Sequence, residues 1–430
     1  MEVPVLDIGA AADFMVNRTG DPDRQAAREL AAELDCLPLA LEQAAAYIQA
    51  SWDNLAGYLE SFRQRRADML ALGESNGYNK TVATTWTLAF EHLQPGAVGL
   101  LRMLASCAPE AIPLRLLLQP RPGLAEQLGP AVAPVLVPLL EEPLAASDAI
   151  AALRRYSLVI PAGVGSVSVH RLVQVVTADQ IPADLADQWH QATTALIEAA
   201  IPGDTDSPET WPACAALLPH AQATLADNSP GMARLANYLG ARGSYTSALE
   251  LQQRVLEARE RSLGPEHPDT LTARHSLASW TGQAGDAAGA RDRYAALLPT
   301  LERVLGPEHP DTLATRGSLA RWTGQAGDPA GARDRYAALL PTLERVLGPE
   351  HPDTLATRSV LARWAGEAGD AAGARDRYAA LLPARERVLG PEHPDTLATR
   401  HNLARWAGEA GDAAGARDRY AGLLPVVERV

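Results

Sequence analysis

The nonapeptide LGPEHPDTL occurs at 263–271, 305–313, 347–355 and 389–397, a fixed interval of 42 residues. The residues between these copies repeat almost letter for letter. A period of that length restricts the fold sharply. One unit is too small to enclose a core and buries its apolar face only against its neighbours, so residues 229–430 read as a solenoid of five units, the last one truncated. His267, His309, His351 and His393 then hold equivalent positions, one per unit. Arrays of this kind present long surfaces to partners, which points to recognition rather than chemistry.

The unit from 310 to 348 predicts its own local structure. Pro310 and Asp311 start a helix that runs through LATRGSLARWTGQ to the turn AGD at 326–328. Gly327 closes it, because glycine takes the left-handed C-terminal cap without strain. A second helix follows with Ala332, Tyr336, Leu339 and Leu340. Leu319, Ala320, Gly327, Ala332 and Tyr336 alternate small and large, which lets the two helices cross closely. A proline falls inside the second helix at 299, 341, 383 and 425 and predicts a kink rather than a break. Trp280, Trp322, Trp364 and Trp406 read as packing between units rather than as a ligand cage. The recurring histidine, between Glu and Pro, reads as a helix-entry element, since one histidine per unit does not build a multidentate metal site.

Composition narrows the function classes. The formal charge of −14 argues against nucleic acid or an anionic membrane surface as the main partner. The unit from Gly306 to Leu347 is neutral, with Glu308, Asp311, Asp328, Asp334 and Glu344 against Arg316, Arg321, Arg333, Arg335 and Arg345, so the acidity sits mostly upstream. Lys80 is the sole lysine, and its surroundings, GESNGYNKT, lack the glycine that a phosphate-binding Walker A loop needs before its lysine. Cys36, Cys107 and Cys214 are odd in number and in no ligand spacing, which reads as free thiols in a reducing, cytoplasmic setting. The opening MEVPVLDIGAAADFM has no basic segment leading into an apolar run and is not expected to be a signal peptide. Prolines and Glu141 and Glu142 break the most apolar stretch, 130–146, so no membrane association is expected. G-x-S-x-G, H-E-x-x-H and C-x-x-C are absent, and no enzyme activity, metal or cofactor is expected.

The front half divides differently. Residues 1–78 open on a strand-like VPVL and continue as amphipathic helices, with Asp21 predicted to cap one of them and Pro38 interrupting the next. Residues 79–182 hold helical runs with proline breaks at 109–143, then two short β runs, SLVIP and SVSVH, around a glycine turn, then another helix. Helices followed by a small hairpin form the pattern of a winged-helix domain. Residues 183–228 read as a helical pair linking to the array, divided at 201–212. The fold class is therefore mainly all-α: a solenoid preceded by a helical subdomain and a winged helix.

The 42-residue unit with its HPDTL lead-in resembles the tetratricopeptide repeat in its kinesin-light-chain-like form, over residues 229–430. In that family the first helices line a concave groove for peptides or protein segments. The copies differ at residues four apart on the first helix: His275, Ser279 and Gln283, then Gly317, Arg321 and Gln325, then Ser359, Arg363 and Glu367, then His401, Arg405 and Glu409. These share one helix face, which the resemblance makes the groove. Arg321, Arg363 and Arg405 would form a ladder able to clamp carboxylates of an acidic protein or peptide ligand.

Two segments of the front half resemble NB-ARC signalling ATPases of the STAND class. LDCLPLALEQAAAYI at 34–48 is similar to their G-L-P-L-A motif, with Cys36 in place of glycine, and SVHRLVQVV at 168–176 is similar to their M-H-D region. The resemblance implies that Pro38 packs near an adenine and that His170 reaches the β-phosphate of ADP, here as vestigial contacts, because the nucleotide-binding domain with its Walker motifs is missing. The order of parts is similar to bacterial NB-ARC regulators with tetratricopeptide arrays. It implies a non-enzymatic sensing and autoinhibition module that binds a protein or peptide ligand. The alternatives are an ADP switch completed by a nucleotide-binding domain in trans, or a winged-helix DNA-binding regulator. Against the last, basic and acidic residues balance over 80–182. The sequence stops inside a second helix, at VVERV, so an uncapped last unit and self-association through it are expected.

Overall fold

The computed structural model describes residues 6–51, 53–71 and 88–427. Lys80 and most of the VPVL run lie outside the described residues. The chain separates into two compact units, Met1–Leu235 and Ala236–Val430.

The first unit opens with helices Ile8–Thr19, Arg24–Glu33, Pro38–Ser51 and Leu55–Ala71. Alanines at 11, 27, 40 and 44 are fully buried and let these helices approach closely around Met15, Leu30, Leu41 and Tyr58. The cap of the second helix is Asp23, not Asp21: its Oδ1 accepts the N–H groups of Gln25 and Ala26, each at 3.0 Å. Asp21 is drawn away by a tertiary bond. One of its oxygens accepts from Asp23 N–H (3.0 Å) and the other from Leu55 N–H (2.8 Å), which ties this loop to the start of the fourth helix.

Helices Pro95–Ala105, Ala133–Glu141 and Pro143–Arg155 follow, then a hairpin of Ile160–Pro161 and Val167–Ser168, antiparallel with Ile160 opposite Ser168. Ile112 bridges Val167 from the other side. The strands are shorter than the β runs in the sequence because Pro161 withdraws a donor and Gly163 and Gly165 turn the chain at φ +106° and +73°. Helix Arg171–Asp179 comes next, and Ala183–Ala200 with Trp211–Thr224 form the helical pair.

The second unit is a helical solenoid. After Tyr245–Leu263 come the pairs Pro268–Gln283 with Ala287–Val304, Pro310–Gln325 with Pro329–Val346, Pro352–Glu367 with Ala371–Leu389, and Pro394–Glu409 with Ala413–Val427. Each second helix runs unbroken through its proline at 299, 341 or 383. Cores straddle repeats. Leu361 and Trp364 complete the cluster of Leu313, Ala320, Ala332, Tyr336, Leu339 and Leu343 from the repeat before. Leu319 likewise packs backwards with Trp322, against Ala278, Ala290 and Tyr294, and not into the helix crossing of its own unit. On the last described helix Tyr420 is 37% and Leu424 60% exposed, whereas the equivalent Tyr294 and Tyr378 are 1% exposed. Among the described residues no helix is long and apolar enough to cross a membrane, and no cluster of three or more His, Cys, Asp or Glu is placed to hold a metal.

Candidate functional site

The register of the array is set at both ends of each first helix. The recurring histidine is its N-cap: Nδ1 of His309 accepts the Asp311 N–H at 3.2 Å, and His267, His351 and His393 repeat the bond at the same length. Pro follows at the first helical position, where its missing N–H has no partner to lose. At the far end Asp328 N–H reaches the Thr323 carbonyl (3.2 Å) and Gly327 N–H that of Gly324 (3.0 Å), with Gly327 at φ +96°. That is a Schellman ending, as the AGD turn predicted. Asp328 then caps the second helix through Gly331 N–H at 2.8 Å. Identical ends place equivalent side chains at equivalent angles in each repeat.

The first row of variable positions sits at the junction of the paired helices. Tyr294, Tyr336 and Tyr378 hydroxyls donate to the carbonyls of His275 (3.2 Å), Gly317 (3.0 Å) and Ser359 (3.0 Å). The His275 ring meets Tyr294 edge-on at 5.0 Å, and His401 meets Tyr420 at 5.3 Å. Nε2 of His275 is enclosed without a partner. Burial lowers its pKa, and the charge of Asp311 opposes that shift. His275 and Asp311 both line a small cavity of about 110 Å³ beside Leu301 and Thr315. His401 is exposed.

The second row differs. The guanidinium groups of Arg321, Arg363 and Arg405 lie over the rings of Trp322, Trp364 and Trp406 at 4.8, 4.7 and 4.6 Å. Ser279 is half-buried, and Gln283, Gln325, Glu367 and Glu409 are exposed. Arg405 is partly neutralised by Glu367 of the preceding repeat at 3.4 Å. Arg321 and Arg363 have no carboxylate within ion-pair distance among the described residues. Burial pushes the Tyr336 phenol up to about 12, against the pull of Arg363 and Arg321. Two cations without an acidic partner, each spread on an indole face, are suited to an anionic ligand group.

The recurring arginines of two other registers are committed to the scaffold, and this the sequence reading missed. Arg274–Glu260, Arg316–Glu302 and Arg358–Glu344 pair at 2.6 Å and Arg400–Glu386 at 2.7 Å, each from a second helix to the next first helix. Arg303–Glu266 and Arg345–Glu308 pair at 2.5 Å and Arg387 with Glu350. The spacings of 14 and 37 residues recur in each copy and were the available signal.

In the first unit Pro38 is exposed at the start of Pro38–Ser51, and His170 caps Arg171–Asp179, its Nδ1 accepting Leu172 N–H at 3.2 Å. Burial lowers the His170 pKa. Its own helix uses Nδ1, so only Nε2 is left to face a phosphate. Cys36, where the resembling motif has glycine, holds φ +51°.

The tetratricopeptide repeat family matches residues 228–302 and 367–424, and a second tetratricopeptide repeat family matches 312–353. These segments are similar to tetratricopeptide repeats and together make up less than half of the chain. A nucleotide-binding leucine-rich repeat (NLR)-like protein of Hyaloscypha variabilis is 27% identical over 270 residues, 57% of this chain and 25% of that protein. The chain thus spans about a quarter of the length of that curated relative. The nearly identical tetratricopeptide-like repeats of a kinesin light chain candidate from Podosopora anserina are 25% identical, with 47% of this chain and 98% of that one covered at a TM-score of 0.44. A STAND protein with a tetratricopeptide repeat sensor from Pyrococcus horikoshii is 10% identical, with 97% and 72% covered at a TM-score of 0.29.

Proposed function

We propose that this chain is a non-enzymatic recognition module of an NLR- or STAND-type signalling regulator, whose array binds an acidic protein or peptide segment. The observation that carries the reading is the pair Arg321 and Arg363. Both stand on one face of successive first helices, both stack on a tryptophan, and neither has an acidic partner among the described residues. The tetratricopeptide matches and the NLR-like relative support it. In this reading the front half couples occupancy of the array to a switch.

The test is selection of displayed peptides on the full chain, followed by affinity measurement against the double variant Arg321→Gln, Arg363→Gln and the single variant Arg405→Gln. Selected peptides should be rich in Asp and Glu. The double variant should weaken them by about tenfold or more, since charge-assisted bonds are lost, and Arg405→Gln should weaken them less, because Glu367 already engages Arg405. Neutral selected peptides that bind the double variant as tightly as the parent chain would refute the reading.

A further inference from the structure

A cleft of about 520 Å³ opens in the first unit between helix Pro143–Arg155, the short helix Leu114–Leu117 and the hairpin turn. Its floor is apolar and buried: Leu114, Leu139, Leu140 and Val167. Backbone bonds hold its walls. Arg115 N–H donates to the Gly165 carbonyl at 3.1 Å, and Ala162 N–H to Ser166 at 3.0 Å, so the short helix and the hairpin turn are fixed against each other. The size falls within the usual range for small-molecule sites and is too small for a folded partner.

Two further observations specify the occupant. Arg115 and Arg154 line the cleft, and neither has a carboxylate in ion-pair distance among the described residues; Glu141 is the one acid among the lining residues, which leaves the lining at a net +1 (two Arg against one Glu). Two large apolar side chains next in sequence to lining residues are left in solvent: Val164, between Gly163 and Gly165, is 93% exposed, and Leu144, beside Pro143, is 78% exposed. An apolar floor and two guanidinium groups without an acidic partner call for a ligand with an apolar body and one anionic head. None of these residues belongs to the array or to the Pro38 and His170 positions.

We propose that this cleft binds a single-chain fatty carboxylate, its chain on Leu114, Leu139, Leu140 and Val167 and its head between Arg115 and Arg154. The planar fork of arginine matches a carboxylate through paired N–H donors. Such a ligand would hold the hairpin, the short helix and helix Pro143–Arg155 together.

The test is calorimetric titration of the full chain with dodecanoate, dodecyl phosphate and dodecanol below their aggregation concentrations. The parent chain is compared with the double variant Arg115→Gln, Arg154→Gln. Both arginines are exposed, so the variant should fold, and circular dichroism checks that it does. Saturable one-to-one binding of dodecanoate is expected, about tenfold tighter than dodecanol in the parent chain and no tighter in the variant. Dodecyl phosphate binding more tightly than dodecanoate would replace the carboxylate by a phosphorylated lipid and overturn the assignment. Equal binding of dodecanoate and dodecanol, unchanged in the variant, would reduce the effect to adsorption and overturn it as well, as would no binding.

Discussion

The indole of Trp364 fills the space in which Gly324 would carry a β-carbon. The same relation joins Trp322 to Gly282, Trp406 to Gly366 and Trp280 to Gly240 of helix Pro230–Ala241, so each tryptophan seats on a bare turn of the preceding first helix. Gly282, Gly324 and Gly366 each stand two residues after the tryptophan that fills the next seat back. Gly324→Ala should therefore cost about 1–3 kcal/mol, the penalty for forcing a methylene into a packed core. Gly408 is the control, since a β-carbon there meets only the Ala416 methyl at 3.4 Å. Gly408→Ala should be neutral or stabilise by about 0.5–1 kcal/mol through helix propensity. Urea melts followed by tryptophan fluorescence separate the two; equal effects would mean that the seat carries no packing energy.

His275 predicts acid sensitivity. Burial holds its imidazole below the ordinary 6.5, so the unfolded chain takes up the proton first as pH falls. The stability it contributes is complete above the unfolded value and is lost as pH drops through it toward the lower folded value. His220, fully buried, is shifted in the same direction and adds to the same window. His275→Ser introduces the residue that Ser359 already holds in the same register, so the variant should fold. Its melting temperature should fall less between about pH 7.5 and about pH 5 than that of the parent chain. Parallel curves would show that the ring takes its proton without strain.

Cys36 holds a left-handed conformation at φ +51°, as does Asp35 beside it at +52°. A side chain there costs about 1–2 kcal/mol that glycine does not incur, part of which the greater freedom of glycine in the unfolded chain returns. Cys36→Gly should raise stability by about 1 kcal/mol, while Cys36→Val, which is branched at the β-carbon, should lower it. Thermal denaturation of the two variants checks the sign.

Legibility followed the range of the interactions involved. The helices of the array, their glycine endings and the histidine caps are local devices within a few residues of one another, and the repeat displayed each of them four times. The backward packing of Leu319 and the seating of Trp364 on Gly324 are contacts between repeats, and no pattern inside one unit reveals which neighbour a side chain faces. The W-x-G spacing, present at Trp280, Trp322, Trp364 and Trp406, was the visible sign of the seat. Asp21 and Asp23 offer the same cap chemistry two residues apart, and a contact to Leu55 decided between them. The arginine ladder was half legible. Its common face was readable from the spacing, but not that Glu367 engages Arg405 while Arg321 and Arg363 remain open.

A last asymmetry breaks the repeat in its core. Arg385 is 5% exposed at the register where Leu301 and Leu343 are 2% and 6% exposed. Its Nη1 meets Asp395 at 3.2 Å and its Nη2 donates to the Leu355 carbonyl at 3.4 Å, while Nε has no partner. Arg259, one register position before Leu301, is buried in the same way and donates to the Asp269 carbonyl at 2.9 Å. Desolvating a guanidinium commonly costs as much as its ion pair returns, and here the partner carboxylate is 60% exposed and screened by water. Arg385→Leu, which restores the residue of the two preceding repeats, should therefore be neutral or stabilise by about 1–2 kcal/mol. Arg385→Ala removes the packed stem as well and should cost about 2–4 kcal/mol. Asp395→Asn should cost about 1 kcal/mol by leaving the cation uncompensated. Urea denaturation of the three variants ranks them; if Arg385→Leu loses as much as Arg385→Ala, the polar contacts of the guanidinium, and not the packing of its stem, hold these two repeats together.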